Sequence, residues 1–214
     1  MKWKILQSLT DDQQRDVLRA AMRRRYRDGD TLFHQGDPGD TVHLLDRGHV
    51  ALRIVNVRGV MLTVDILGPG STFGEQTLVE PNAHRTASVV AIGGVETLTI
   101  DRDSFAEILR RHPAAATVLV EMLASQVRRM TEMLLDSHSM PAEERVIKQL
   151  RRLAIGFCEG NIATLPITQE ELASMAATTR PTANRALQPL VNDGSVRLGR
   201  GRIIVEDVSR LSNR

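Results

Sequence analysis

The chain has 214 residues, one cysteine and a formal net charge of +2. Its length suits two small domains with cores that need no covalent staples, and the lone Cys158 excludes an internal disulfide framework, a multi-cysteine zinc site and a four-cysteine iron–sulfur cluster. No run reaches the roughly 18 apolar residues that span a bilayer, and MKWKILQSLTDDQQ turns polar too early for a secretory leader, so a soluble, cytoplasmic protein without membrane contact or metal site is expected.

Charge is unevenly spread. From Met140 onward there are eleven Lys and Arg against eight Asp and Glu, a balance of +3, and the remainder carries −1. The positive share lies where phosphate contacts would help.

A short helix opens the chain. Residues 29–100 then carry turn signals at the spacing of a β-sandwich or barrel: Gly29-Asp30, Gly36-Asp37-Pro38-Gly39, Asp46-Arg47-Gly48, Arg58-Gly59, Gly68-Pro69-Gly70 and Gly93-Gly94. Between them Val42/Leu44, Val50/Leu52/Ile54, Leu62/Val64/Ile66 and Leu98/Ile100 alternate with the period of half-buried strands, which predicts seven or eight short strands. Here FGEQTLVEPNAHRTASVVAI sets Glu75 and Arg85 at the rim of an apolar run, Ala87 to Ile92, as a site for a missing anionic partner would.

From about Asp103 the rhythm becomes helical, interrupted at His112-Pro113. Val120, Leu123, Val127, Met130 and Leu134 are spaced 3, 4, 3, 4, the stripe that buries one helix against another. Leu119, Met122 and Met133 form a second stripe that suits packing on the strand region. The helix therefore reads as facing the strands on one side and a partner subunit on the other, with packing on the strands alone as the alternative; a symmetric dimer follows from the first reading.

Ser139-Met140-Pro141-Ala142-Glu143 reads as a new helix start, with Ser139 near the cap and Pro141 in the first turn. Gly156 and Gly160-Asn161 break that helix. Thr168 caps the next one, with Glu171 at the capping-box position and Leu172 and Met175 inward. Ala183, Leu187 and Leu190 give a further helix its buried side, and SVRL and RIIV flank Gly199-Arg200-Gly201 as a hairpin. Helix, turn, helix and wing lay the second helix in the major groove of DNA, so Thr178, Thr179, Arg180, Thr182 and Arg185 at its start and Arg200 on the wing are the expected contacts.

Residues 10 to 208 resemble the Crp/Fnr superfamily of bacterial transcription regulators. FHQGDPGDTVHLLDRGHVALRI resembles its first hairpin region, FGEQTLVEPNAHRTA the phosphate-binding cassette of cyclic-nucleotide domains, and ITQEELASMAATTRPTANRAL its DNA-reading helix pair. The resemblance implies an α+β fold: an N-terminal double-stranded β-helix (cyclic-nucleotide-binding β-roll) over residues 1–110, a long dimerisation helix and hinge over 111–139, and a C-terminal winged helix-turn-helix over 140–214. It implies ligand contacts from Gly74, Glu75, Gln76, Arg85, Thr86 and Arg129, and adds Thr168 and Gln169 to the DNA-contacting residues. In the cassette, N–H groups after Gly74 and the guanidinium of Arg85 suit a phosphate, Thr86 adds a hydroxyl, and Glu75 suits a ribose hydroxyl or holds Arg85 when the pocket is empty.

Departures from the family pattern narrow this. Met133 and Leu134 fall where cyclic-AMP-binding members present hydroxyls to the base, and Asp65 stands near the base side. His84 reads as a surface residue rather than a haem ligand. Ala177 replaces the glycine common at the inter-helix turn, and Pro181 replaces a glutamate that reads cytosine. The expectation is a homodimeric, non-enzymatic regulator of double-stranded DNA at a two-fold symmetric site, with no obligatory cofactor, a cyclic-AMP-like nucleotide as effector and RNA polymerase as a further candidate partner. The alternative is a ligand-independent DNA-binding regulator with a vestigial pocket.

Overall fold

A computed structural model describes residues 3–7, 9–79 and 83–212; Glu80, Pro81 and Asn82 of the cassette lie outside the described residues. Backbone contacts divide the chain into two compact units, one of residues up to Met61 together with Asp65–Arg128, the other of Leu62–Val64 and residues from Arg129 onward.

In the first unit, α1 (Lys4–Gln7) and α2 (Asp11–Ala20) precede the strands, and Thr10 with Gln13 closes a capping box at the start of α2. The strands are β1 (Met22–Tyr26), β2 (Thr31–Phe33), β3 (Thr41–Val55), β4 (Met61–Leu67), β5 (Thr72–Phe73) and β6 (Ser88–Asp101), with the short α3 (Gln76–Val79) between the last two. They form an open sheet in the order β1-β6-β3-β4, with β2 added to β6 and β5 to β3. Among the described residues the expected seven or eight short strands are six, two of them long.

Asp46-Arg47-Gly48 and Gly93-Gly94 do not end strands. The antiparallel register of β3 on β6 shifts between Leu45 and Arg47 and again between Arg47 and His49, so the pair bends there and runs on. A Cβ on Gly48, whose φ is +78°, would meet the Gly94 carbonyl at 2.2 Å, which explains the glycine at that corner.

Among the described residues of this unit, two apolar clusters stand out. Val42, Leu44, Leu98 and Ile100 pack with Leu6, Val17, Phe105 and Leu119; Leu45, Val50, Val89, Ala91, Val95 and Phe73 form the second cluster, beside Phe33. The helices α4 (Arg102–Arg111) and α5 (Pro113–Ser139) break at His112 as expected. On α5, Leu119 is buried and Met122 and Leu123 lean on the first cluster, whereas Val120, Val127, Met130 and Leu134 are exposed. Leu123 therefore belongs to the inward face rather than to the outward stripe.

In the second unit, α6 (Ala142–Gly156) begins after Pro141, which caps it without a side-chain hydrogen bond. Ser139 is still on α5, with its hydroxyl turned back to the Leu135 carbonyl at 2.8 Å, so it does not cap α6. Gly160 does more than end a helix: at φ +66° it turns β7 (Cys158–Glu159) into β8 (Ile162–Leu165). Then come α7 (Gln169–Met175), α8 (Arg180–Asn192), β9 (Val196–Gly199), β10 (Arg202–Val205) and α9 (Val208–Ser212), the strands ordered β7-β8-β10-β9. Leu150 of α6, Leu172 of α7, Leu187 of α8 and Ile203 of β10 are fully buried, and truncating such a leucine typically removes about 2 to 5 kcal/mol.

Candidate ligand pocket and candidate nucleic-acid interface

The cassette is assembled from three segments. After β5 the chain turns at Gly74, φ +84°, into α3. Arg85 precedes β6, and its backbone locks onto the turn 36–39: its N–H donates to the Asp37 carbonyl at 2.8 Å and its carbonyl accepts from Gly36 at 2.9 Å. The third segment is the start of β3.

Arg85 is only 3% exposed. Its Nη1 donates to the Gly74 carbonyl and the Thr77 hydroxyl at 3.0 and 3.2 Å, and Nη2 to the Thr41 carbonyl and hydroxyl, both at 2.8 Å. The guanidinium lies 4.2 Å from the Phe33 ring centroid, a cation–π distance, and Asp40 is its ion-pair partner at 3.7 Å. Burial pulls its pKa down, while Asp40, Asp37 and Glu75 oppose that shift.

Glu75 reads from the sequence as suiting a ribose hydroxyl or as holding Arg85 when the pocket is empty; in this structure it gives Arg85 no hydrogen bond. The holding groups are instead the two carbonyls, two hydroxyls and Asp40, and Glu75 acts on the cation only through its charge. Glu75 is itself buried, and burial pushes its carboxyl above the usual range against its own backbone N–H and Arg85. Its Oε2 and the Nε of Arg85 are buried with no hydrogen-bond partner among the described residues. A buried carboxylate oxygen and a buried N–H of this kind are unfavourable unless a ligand or water meets them. Acceptor and donor fit a ribose hydroxyl and a phosphate oxygen, respectively.

Thr86 is exposed and its hydroxyl donates to Gln76 Oε1 at 3.3 Å, so these two cassette residues touch. Arg129 is exposed on α5 and belongs to the other compact unit, as do Met133 and Leu134; the site described here consists of the remaining five ligand candidates. His84 is exposed, its backbone bridged to Pro38. Asp65 is half-buried on β4 and accepts the N–H of Ile66 at 2.9 Å.

Arg102 was not singled out from the sequence. From the first turn of α4 its Nη2 donates to the Gly39 carbonyl at 2.5 Å and the Thr77 carbonyl at 2.7 Å, tying α3 to the turn before β3. Gly39 is obligatory for that approach, since a Cβ there would stand 2.1 Å from the Thr77 hydroxyl oxygen. The glycine was visible as a turn signal; the arginine had no local pattern to reveal it.

The second set of residues gathers at α7 and α8. Thr168 accepts the Glu171 N–H at 3.1 Å, and Glu171 returns to the Thr168 N–H at 2.8 Å, the expected capping box. The Thr168 hydroxyl also donates to that carboxylate at 3.0 Å, so it is engaged in the cap; Gln169 follows, half-buried. Thr179 caps α8 through its backbone alone, and its hydroxyl meets that of Thr182 at 3.2 Å. Arg180 and Pro181 are exposed in the first turn, Thr178 and Thr182 half-buried. Arg185 is exposed but tied through Nε to Glu143 at 2.9 Å. Arg200 is exposed in the turn between β9 and β10.

Arg145 of α6 was also missed. Its Nε donates to the Ala176 carbonyl at 2.9 Å, Nη2 to the Ala177 carbonyl at 2.9 Å and Nη1 to the Met140 carbonyl at 2.8 Å. One planar fork thus fixes the α7–α8 turn to the start of α6. Among the described residues no cluster of His, Cys, Asp or Glu could hold a metal ion, and no helix is long and apolar enough to cross a membrane.

Known families match both units. The cyclic nucleotide-binding domain covers residues 23–112 and the Crp-like helix-turn-helix domain residues 144–214. The cyclic AMP receptor protein of Thermus thermophilus is 35% identical over 190 residues, 88% of this chain and 86% of the relative. A CRP-like cAMP-activated global transcriptional regulator of Mycobacterium tuberculosis is 33% identical over 87% of this chain and 84% of its own length. The crystal structure of the Thermus thermophilus catabolite activator protein superposes with a TM-score of 0.58 at 32% identity, covering 98% of this chain and 97% of that one. With a cyclic nucleotide-binding domain followed by a Crp-like helix-turn-helix domain, and relatives above 30% identity over most of its length, the chain belongs to the Crp/Fnr superfamily of DNA-binding transcription regulators.

Proposed function

We propose that this regulator works as a homodimer in which a cyclic nucleotide, cyclic AMP or a relative, enters the roll and alters the placement of the two recognition helices. The observation that carries the ligand half is the buried pair Glu75 Oε2 and Arg85 Nε, an acceptor and a donor left for a guest on the cassette itself. The names of the Thermus thermophilus and Mycobacterium tuberculosis relatives, a cyclic AMP receptor and a cAMP-activated regulator, support the same choice. Gly74, Glu75, Gln76, Arg85 and Thr86 are the proposed ligand residues, with Arg129 contributed from α5. The exposed Val120, Val127, Met130 and Leu134 support pairing of α5 with a second copy.

Base recognition is proposed to be weak. The thioether of Met133 and the alkyl chain of Leu134 pack on a purine but give no strong acceptor to its amine, and an unpaired amine forfeits about 1 to 3 kcal/mol. The DNA surface is proposed to be Thr178, Thr179, Arg180, Thr182 and Arg185, with Thr168, Gln169 and Arg200 on the backbone. The partner is a two-fold symmetric double-stranded site in the cytoplasm, with RNA polymerase acting beside it.

A second reading, ligand-independent DNA binding, is favoured by one observation: four protein groups already accept from Nη1 and Nη2 of Arg85, so a phosphate that needs those atoms must displace them. Calorimetric titration with cyclic AMP, cyclic GMP and linear AMP, with DNA affinity measured in parallel, separates the two. Saturable binding of both cyclic nucleotides, within about tenfold of each other and absent for linear AMP, is expected. No heat with any of them, and DNA affinity unchanged, would establish the second reading.

A further inference from the structure

Glu143 stands in the first turn of α6, a helix that packs on α8, and its Oε1 accepts the Nε–H of Arg185 at 2.9 Å. Both side chains are largely exposed, 53% and 72% respectively, so this contact adds little to folding. Its location matters more. A bond through Nε leaves Nη1 and Nη2 outside the contact, and those two donors are the pair that matches O6 and N7 of guanine.

An arginine restrained at Nε has already lost rotamer freedom before DNA arrives, so less is lost when it binds. The same carboxylate, close to a helix that approaches phosphates, weakens attraction to DNA of any sequence. The first effect acts only where Arg185 meets its base and so raises the ratio of specific to non-specific binding; the second lowers affinity for every sequence alike. We propose that Glu143 is a positioning residue for sequence discrimination, presetting Arg185 for a guanine while tempering the basic surface around it. Nothing in the match to the helix-turn-helix family contains this role, because Glu143 precedes the matched segment, which begins at residue 144. The inference rests on the reading of α8 as the DNA-contacting helix.

The test uses the full chain and a duplex obtained by in vitro selection with it. Substituting Arg185→Ala identifies the base pair whose preference relaxes. Glu143→Ala should then lower preference at that base pair by about two- to fivefold, the scale of an exposed ion pair. Binding to unrelated DNA should be equal or stronger, and thermal unfolding unchanged. Glu143→Gln, which keeps an acceptor without the charge, should lie between wild type and Glu143→Ala in preference. In the Arg185→Ala background, Glu143→Ala should change preference no further.

Preference that is intact or sharper in Glu143→Ala would overturn the proposal, the sharper case meaning that Glu143 sequesters Arg185. A Gln variant no better than Ala would assign the effect to charge alone and overturn the positioning role. If Arg185→Ala relaxes no base pair, Arg185 is not a reader and both the reading and the proposal fall. An active Arg185 with an inert Glu143 sinks the proposal alone.

Discussion

A Cβ on Gly74 would stand 2.6 Å from Nη1 of Arg85 and 3.0 Å from the Thr41 carbonyl. The glycine thus clears the seat of the arginine, and its φ of +84° disfavours other residues a second time. Gly74→Ala should cost about 1 to 2 kcal/mol for the left-handed backbone and about 1.5 to 3 kcal/mol more for a charged hydrogen bond displaced. Urea unfolding should show a lowered midpoint, and nucleotide titration a lost or weakened signal. A variant with wild-type stability would mean that Arg85 has another resting place.

His43 makes stability depend on pH. It is 4% exposed, stacked on Phe73 at 5.0 Å, and burial first, then the charges of Arg85 and Arg24, lower its pKa from 6.5 to about 3. The folded chain therefore refuses a proton that the unfolded chain accepts. The contribution is complete above about pH 6.5 and is lost progressively as pH falls toward 3. Between pH 7 and pH 5 the loss from this residue is about 2 kcal/mol, since each unit is worth about 1.4 kcal/mol. His49, lowered by burial, acts in the same direction. Glu75, raised by burial, acts oppositely: the folded state holds its proton longer, so that contribution is lost as pH rises from 4.5 through the raised value. Urea midpoints of wild type and His43→Phe at pH 7 and pH 5 isolate the histidine, and the variant should show the smaller drop. Equal drops would place the proton elsewhere.

How legible these features were depends on how local their causes are. The Thr168–Glu171 capping box and the Gly199-Arg200-Gly201 hairpin need only neighbours in sequence, and both lie where the pattern put them. The corners of β3 and β6 were misread because a glycine that bends a strand and one that ends it look alike in sequence; only the shifted register distinguishes them. Arg102 and Arg145 were missed for a different reason. Each grips carbonyls distant in sequence, and a carbonyl carries no residue signature. In the pocket, Glu75 and Arg85 were legible as charges at the rim of an apolar run, but their burial and the partners of Arg85 were not: Thr41 and Asp40 come from another strand's start.

Ala177 is the one non-glycine residue at positive φ among the described residues, at 49°. It ends α7, its N–H donating to the Ser174 carbonyl at 3.0 Å. A left-handed alanine costs about 1 to 2 kcal/mol, and glycine gives back part of that in unfolded-state entropy. Ala177→Gly should therefore stabilise by about 0.5 to 1 kcal/mol in denaturant melts. A lower midpoint would mean the alanine methyl makes a compensating contact.

The Arg145 fork gives a prediction with two readouts. Arg145→Lys keeps the charge but not the planar set of donors that serves Met140, Ala176 and Ala177 together. Exchange protection of amides in the α7–α8 turn should fall, and DNA affinity should drop about tenfold, corresponding to about 1.4 kcal/mol. Loss of protection with DNA affinity unchanged would show that the turn can loosen without moving the reading residues.

The two faces of α5 separate folding from assembly. Leu119, 5% exposed against the first cluster, should lose about 2 to 5 kcal/mol on truncation to alanine without altering the subunit count. Val127, 63% exposed on the stripe with Val120, Met130 and Leu134, should behave the opposite way. Its replacement by glutamate leaves a single chain's core untouched, yet in a symmetric pair it buries two like charges, each disfavoured by several kcal/mol unless relieved. Sedimentation of Val127→Glu should therefore give monomers at concentrations where wild type gives dimers, with an unchanged thermal transition for the roll. A variant that remains fully dimeric would put the interface on another surface and remove α5 from the proposed link between nucleotide binding and the placement of the recognition helices.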